Sequence, residues 1–415
     1  MSAPLTGVFR SLRSHNYRLW TAGALVSNVG TWMQRIAQDW LVLTQLTHHD
    51  ASAVGTVMAL QFGPQLLLLP WTGVAADRFD QRRLLMATQA ALGALALALG
   101  ALTVTGVVTL SELYVLAFLS GCASAFDAPV RQTFVSELVG DADLSNAVAL
   151  NSTSFNAARM IGPAVSGIVI ASVGTGWSFV INGASFGAVL ASLAFLRRSE
   201  LRPIERARRT KGSFVEGFRY VWRRPDLRAI LLMLFLIGTF GLNFPIFIST
   251  MAVRVFHTDA RGYGVLTSIM AVGTISGSLL AARREARFSS LLVGGGVFGL
   301  GCTLAAIAPT YGLFGAALAV IGVAALTFTT GTNSLMQLST ESAMRGRVMS
   351  LRVAIALGGT PLGAPIVGWV ADHFGPRWSL GVGAAAGFAA ALVAVWAIAR
   401  RESTPPTRAG EERVY

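Results

Sequence analysis

The sequence is poor in charge: Asp, Glu, Lys and Arg make up 13% of its 415 residues, about half the share of a soluble domain. Lysine is nearly absent. Lys211 is the single copy, so arginine supplies 32 of the 33 basic residues. The two cysteines, Cys122 and Cys302, both fall inside apolar runs, which excludes a disulfide framework or a zinc site. The five histidines (His15, His48, His49, His257 and His373) sit at loops or run ends without metal spacing. No G-x-x-x-x-G-K-[ST] stretch is present, which excludes a P-loop nucleotide hydrolase. Gly294, Gly296 and Gly299 spell G-x-G-x-x-G, but inside an apolar run with no strand before it; close helix packing explains it better. With no nucleophile–base pair and no metal constellation, neither an enzyme nor a cofactor is expected.

Apolar residues fill the space that charge leaves. They make up 53% of the chain, with a mean hydropathy of +0.59, and they come in runs of the length that crosses a bilayer. Twelve spans are expected, near 19–46, 53–76, 84–107, 111–130, 146–171, 176–196, 228–252, 263–282, 289–308, 311–335, 347–371 and 378–399. The net charge of +13 would suit nucleic acid, but its placement does not. Counting from a cytoplasmic N-terminus, 27 of the 33 basic residues lie on the cytoplasmic side; Arg254, Arg261 and Arg377 lie outside, and Arg35, Arg159 and Arg352 lie within spans. This bias sets orientation, with both termini cytoplasmic, and reports contact with anionic lipid heads rather than a nucleic-acid partner. The first 17 residues lack a signal-peptide pattern, and the first apolar segment is expected to remain as a helix.

The basic segment 197–228 divides the spans into two sets of six. The expected parts are a first bundle over 1–197, a cytoplasmic linker over 198–227, a second bundle over 228–400 and a disordered tail over 401–415. In the linker, Phe214, Phe218, Val221 and Trp222 recur at helical spacing among Glu216, Arg219, Arg223 and Arg224, which predicts an amphipathic helix on the membrane surface rather than a plain solvated linker. The halves also repeat. A shift of 201 residues superposes Gly162 on Gly363, Gly167 on Gly368, Gly174 on Gly375, Trp177 on Trp378 and Ser178 on Ser379.

A second repeat carries more chemistry. Gly73 to Arg82 and Gly368 to Arg377 both read G-x-x-A-D-x-F-x-x-R, each directly after an apolar run, and the first continues into Arg83. This G-x-x-x-D-R-x-x-x-R-R loop resembles the one between the second and third helices of the major facilitator superfamily. The resemblance implies an all-α membrane protein, with twelve helices in two six-helix bundles of inverted three-helix repeats. It also implies that Asp77, with Gly73, Arg78, Arg82 and Arg83 beside it, faces a helix N-terminus of the other half and gates the cytoplasmic side, a contact the helix dipole favours. Span 4 ends in Asp127-Ala-Pro-x-Arg131; in the family an acid here pairs with the loop arginines, which makes Asp127 a candidate partner for Arg82 or Arg78. Span 4 has no arginine between Leu113 and Asp127, a departure from many proton-coupled members. Gly162-Pro163 with Gly167 in span 5 resembles the G-P-x-x-G-G motif of exporters and permits a bend and close approach to span 8.

Polar residues inside spans mark the candidate cavity. Asn28, Arg35 and Asp39 share one face of span 1 with Gln34 and Gln38 beside it, and Arg35 and Asp39 at i, i+4 can neutralise each other. They are read either as a functional pair or as a structural one at the outer interface. Asn156 and Arg159 lie in span 5, Asn243 in span 7, and Thr330 and Asn333 in span 10; Arg159 either faces a cavity or snorkels to the cytoplasm. The run Ser27-Asn28-x-Gly30-Thr-Trp32-x-Gln34 and the Asp127 segment resemble most closely the drug and siderophore exporters, near the enterobactin-exporter type. The resemblance implies alternating-access export of a small amphipathic compound from a bacterial cell, in exchange for protons, by a monomer in the inner membrane. An uptake symporter and a non-transporting sensor are the rival readings. Cysteines introduced singly at Thr210 and Thr258 test the topology: in intact cells an impermeant thiol reagent should label only Thr258→Cys, and the reverse pattern would invert the orientation.

Overall fold

The computed structural model describes Gly7 and residues 9–202, 213–283 and 287–402. Those residues form helices α1 (His15–Leu41), α2 (Ala51–Leu67), α3 (Leu69–Arg78), α4 (Gln81–Val104), α5 (Leu110–Leu138), α6 (Asp141–Val173) and α7 (Thr175–Ala194) in the first half. The short α8 (Ser213–Arg223) follows in the linker. The second half holds α9 (Pro225–Leu236), α10 (Phe244–Thr250), α11 (Ala260–Ala282), α12 (Phe288–Ile307), α13 (Tyr311–Leu338), α14 (Ser342–Phe374) and α15 (Pro376–Glu402). An isolated strand or loop in hydrocarbon would leave backbone groups unsatisfied, so helices are what such runs can form.

Among the described residues ten helices are long and apolar enough to span a bilayer, or eleven if the bent pair α2–α3 counts as one. The twelfth is α1, whose Arg18, Arg35 and Asp39 lower its hydropathy but which packs along α6 and α7 as a span does. Span starts are fixed by caps. Asp50 accepts from the Ala53 N–H at 3.0 Å, Asp80 from Arg83 at 2.7 Å and Asp259 from Gly262 at 3.0 Å, while Thr109 and Glu112 form a capping box at α5. Two of the expected spans are broken. Span 2 bends by 58° between α2 and α3, where Pro70 removes a backbone donor. Span 7 passes through a π turn at Ile237–Gly241 before α10, with Pro245 in the first turn after the break.

The amphipathic linker helix is present as α8. Its Val221 is buried, while Phe218 and Trp222 stack 5.4 Å apart on the open side, and Glu216 binds Arg347 of α14 at 2.9 Å. Linker residues 203–212 and the tail from 403 lie outside the described residues. The glycine run of α12 packs helices: a Cβ on Gly299 would lie 3.1 Å from the Ala384 carbonyl oxygen of α15.

The halves meet chiefly through two helix pairs, α2 with α14 and α6 with α11. Both contacts lie toward one face, called here the far face; the opposite, termini face carries the start of α1, the linker and the end of α15. Glycine sets both approaches. A Cβ on Gly167 of α6 would lie 2.7 Å from the Ala260 carbonyl oxygen, and one on Gly368 of α14 would lie 2.5 Å from that of Ala51. These two glycines are equivalent under the 201-residue shift, and each packs on the first turn of the opposite half's helix. Gly174 and Gly375, a further pair equivalent under the same shift, have φ of 94° and 101°, values that favour glycine. Gly167→Val should therefore hold the far face apart at a cost of about 1–3 kcal/mol of overpacking. Spin labels at positions 48 and 257, on far-face loops of the two halves, should report a longer distance in the variant; an unchanged distance would refute the close-approach role.

Candidate functional site

Midway along the interface the halves enclose a cavity of about 190 Å³. From α1 it receives Trp32, Arg35 and Asp39, spaced so that one helical face presents all three. The first half also contributes Ile36 and Gln38 of α1, Met58, Gln61 and Phe62 of α2, and Arg159 of α6. The second half offers Leu242, Phe244, Pro245 and Ile248 around the span 7 break, with Tyr263 and Thr267 from α11. The wall is thus polar on one side and mainly apolar on the other.

Trp32 organises the polar side. Its ring centroid lies 4.7 Å from the Arg35 Cζ and 5.4 Å from that of Arg159, and Phe62 lies 5.8 Å from Arg35. Neither guanidinium has a hydrogen bond or an ion pair to any described residue. The two Cζ atoms are therefore at most about 10 Å apart, and at an effective dielectric of 20 they repel by at least about 1.6 kcal/mol. Each aromatic face returns about 0.5–2 kcal/mol. The geometry places Arg159 in the cavity rather than snorkelling, and leaves two sets of guanidinium donors without described acceptors.

The expected Arg35–Asp39 ion pair does not form. Asp39 is buried and accepts instead from the Tyr263 hydroxyl at 2.8 Å, a bond from α1 to α11 and so between the halves. Trp40 stacks on Tyr263 at 6.4 Å, and Gln61 donates to Gln38 at 3.0 Å. Tyr263, Gln61 and Thr267 went unnoticed in the sequence because a lone Tyr, Gln or Thr in an apolar run carries no spacing signal.

Several other candidates lie elsewhere. Gln34 accepts from Asn182 at 2.5 Å, and Asn156 donates to its own turn at Ser152. The Asn243 amide donates to the Thr239 carbonyl at 2.7 Å, satisfying a backbone group at the break beside the cavity rather than lining it. Thr330 lines a separate groove among α11, α12 and α13, and Asn28 and Asn333 do not reach the cavity. The loop pairing also differs. Asp127 pairs with Arg131 at 3.0 Å and accepts from Thr88 and Gln89 at 2.8 and 2.6 Å, not from Arg82 or Arg78. Arg82 is buried and donates to the Leu193 carbonyl at the end of α7 at 2.6 Å; Arg78 and Arg83 are exposed. Gly162 brings α6 against α1 at Trp32. The Asp77 backbone is helical, and its side chain lies outside the described residues.

The kind of contact expected of Asp77, a carboxylate on a helix N-terminus of the other half, is made on the far face by its repeat partner. Asp372 accepts from the N–H groups of Ala51 and Ser52 at 2.9 and 2.8 Å and from the Ser52 hydroxyl at 2.6 Å, all at the N-terminus of α2 in the other half. Arg254 binds the same carboxylate at 3.1 Å. Burial, with the Asp372 carboxylate beside it, pushes the Asp50 carboxyl above the usual carboxylate range.

Two helical bundles clasped on one face around a shared cavity define the transporter fold of the major facilitator superfamily, not an enzyme. The chain belongs to the family described as transmembrane secretion effector, matched over residues 6–409. It is 25% identical over 352 residues to the staphyloferrin A transporter of Staphylococcus aureus, covering 84% of this chain and 87% of that one. It is 26% identical over 376 residues to the multidrug efflux pump Tap of Mycolicibacterium fortuitum, covering 85% and 88%. Among solved structures, a bacterial homologue of the human lysosomal transporter Spinster superposes with TM-score 0.74 at 15% identity over 93% of this chain and 97% of that one. The nucleoside transporter NupG gives 0.70 at 14% over 94% and 99%.

Asp372→Asn should loosen the far face by about 2 kcal/mol, a roughly 30-fold shift toward the open form, read from the same pair of spin labels. Because closure raises the affinity of Asp50 for a proton, Asp50 favours the closed face at pH below its raised value and ceases to do so as pH rises through it. Asp50→Asn should remove that component; a pH profile of closure identical to wild type would exclude it.

Proposed function

We propose that the protein is a secondary active exporter of a small amphipathic compound, driven by proton exchange and working as a monomer in the bacterial inner membrane with the termini face in the cytoplasm. The name of one relative, a multidrug efflux pump, supports export. The excess of arginine at the termini face supports the orientation. The substrate's apolar part rests on Phe244 and Pro245, its acceptor atoms meet Arg35 and Arg159, and its donors meet Asp39.

The observation that carries the reading is the hydrogen bond from Tyr263 to Asp39. It joins the halves inside the cavity, and its acceptor is the one carboxylate on the cavity wall. A charged Asp39 holds the Tyr263 hydroxyl more strongly than a protonated one, so the empty, deprotonated protein is held closed on the far face. A proton on Asp39 releases that hold. A substrate donor bonded to Asp39 releases it too. The two ligands compete for one carboxylate, and exclusive occupancy is what exchange requires.

On the termini face we assign the complementary clasp to the first copy of the repeat, with Gly73, Asp77, Arg78 and Arg83 doing there what Asp372 does on the far face. Arg82 braces the end of α7 behind it, and Asp127 with Arg131 ties α5 to α4. Gly162 seats α6 on α1, and Pro163 and Gly167 form the surface on which the 1–197 and 228–400 halves rock. Asp77→Asn should lower flux while leaving expression and substrate binding intact.

Everted vesicles test the function. Acidifying their interior should drive accumulation of substrate by the wild type. In Asp39→Asn binding should persist while flux becomes independent of the pH gradient, and Tyr263→Phe should keep pH dependence but leak protons without substrate. Full pH-driven uptake in Asp39→Asn would make Asp39 structural. Wild-type accumulation that requires the opposite gradient would make the protein an uptake symporter.

A further inference from the structure

A second concave surface lies outside the transport path. Helices α8, α9, α14 and α15 border an open groove of about 820 Å³ at the termini face. Its floor is apolar and faces outward from the bundle: Leu392 is 70% exposed, Trp222 62% and Phe235 37%. Its rim is cationic. Arg228 lies over the Trp222 ring at 5.7 Å, and Arg400 over the Trp396 ring at 4.3 Å. The two arginines come from α9 and α15, and each is steadied by an aromatic ring of a helix that borders the groove. Beside Arg228, Asp226 is matched by Arg224 at 3.0 Å, and on α8 Glu216 is matched by Arg347 at 2.9 Å.

We propose that this groove binds one anionic glycerophospholipid of the leaflet at the termini face. Its phosphate sits between Arg228 and Arg400, and an acyl chain runs along Phe235 and Leu392. Three features separate the groove from ordinary lipid-facing surface. The cations stand on two helices distant in sequence, so a single phosphate can bridge them. Tryptophans mark the depth at which headgroups begin. The wall includes α8, which is tied to α14 through Arg347 and to Glu341, which accepts from the Tyr220 hydroxyl at 3.3 Å. Basic pockets of this kind on the inner side of a bundle suit anionic headgroups. A lipid held there ties the linker helix to the second half independently of any substrate.

Native mass spectrometry of the purified full chain in detergent tests this, with phosphatidylglycerol, phosphatidylcholine and glycerol 3-phosphate as probes. Wild type should retain phosphatidylglycerol in preference to phosphatidylcholine, and glycerol 3-phosphate should not displace it. Arg228→Gln with Arg400→Gln should bind phosphatidylglycerol about 30-fold more weakly, from about 1 kcal/mol per arginine, with unchanged helicity and lipid-free melting. Should the double variant not fold, Arg400→Gln alone, at an exposed position, should lose about fivefold by the same conversion. Equal retention of the two lipids would overturn the proposal, as would displacement by glycerol 3-phosphate or an unchanged preference in the variants.

Discussion

The carboxylate of Asp372 at the N-terminus of α2 is the contact on which the observed arrangement depends. A helix start has N–H groups with no partner in their own helix, and here a residue of the other half supplies one. Two backbone donors, one hydroxyl and Arg254 converge on the same side chain, so the clasp satisfies polar groups that would otherwise meet a largely apolar surrounding. Its position near the surface matters. An open far face can hydrate both partners, and the contact can be broken and remade without stranding a charge in hydrocarbon.

The cavity sits below that clasp and obeys the same rule with a different outcome. Polar groups around the clasp are matched by one another, whereas the guanidiniums of Arg35 and Arg159 rest on Trp32 without described acceptors. A protein that needs only stability would pair such groups or replace them with apolar ones. Their retention fits a site whose partner arrives from outside. The Asp39–Tyr263 bond spans the same space and joins the two halves across it.

Much of this was legible in the sequence. The apolar runs give the spans, the paired glycines give the points where halves touch, and the second copy of the G-x-x-A-D-x-F-x-x-R pattern marks the clasp at Asp372. The gating role is read there for Asp77 alone, because the family pattern draws the eye to the first copy, while the structure displays the chemistry at Asp372. Side-chain pairing was the less legible part. Arg35 and Asp39 look like a pair on a helical wheel, and Asp127 looks like a partner for the loop arginines. In each case a nearer group intervenes: Tyr263 from another half, Arg131 from the next turn. Sequence spacing records which residues share a face, but not which neighbouring helix arrives opposite them.

The make-up of the cavity wall also bounds the energetics of the cycle. Arginine keeps its charge at any physiological pH, so Arg35 and Arg159 contribute a constant field, and Asp39 is the one carboxylate among the lining residues. In the proposed proton exchange, routing through that carboxylate gives a stoichiometry of one proton per turnover at most. For an uncharged substrate each turnover then moves a net charge across the membrane, and flux responds to voltage as well as to acidity. From the pH difference alone, the substrate ratio the cycle can sustain rises by about tenfold per unit.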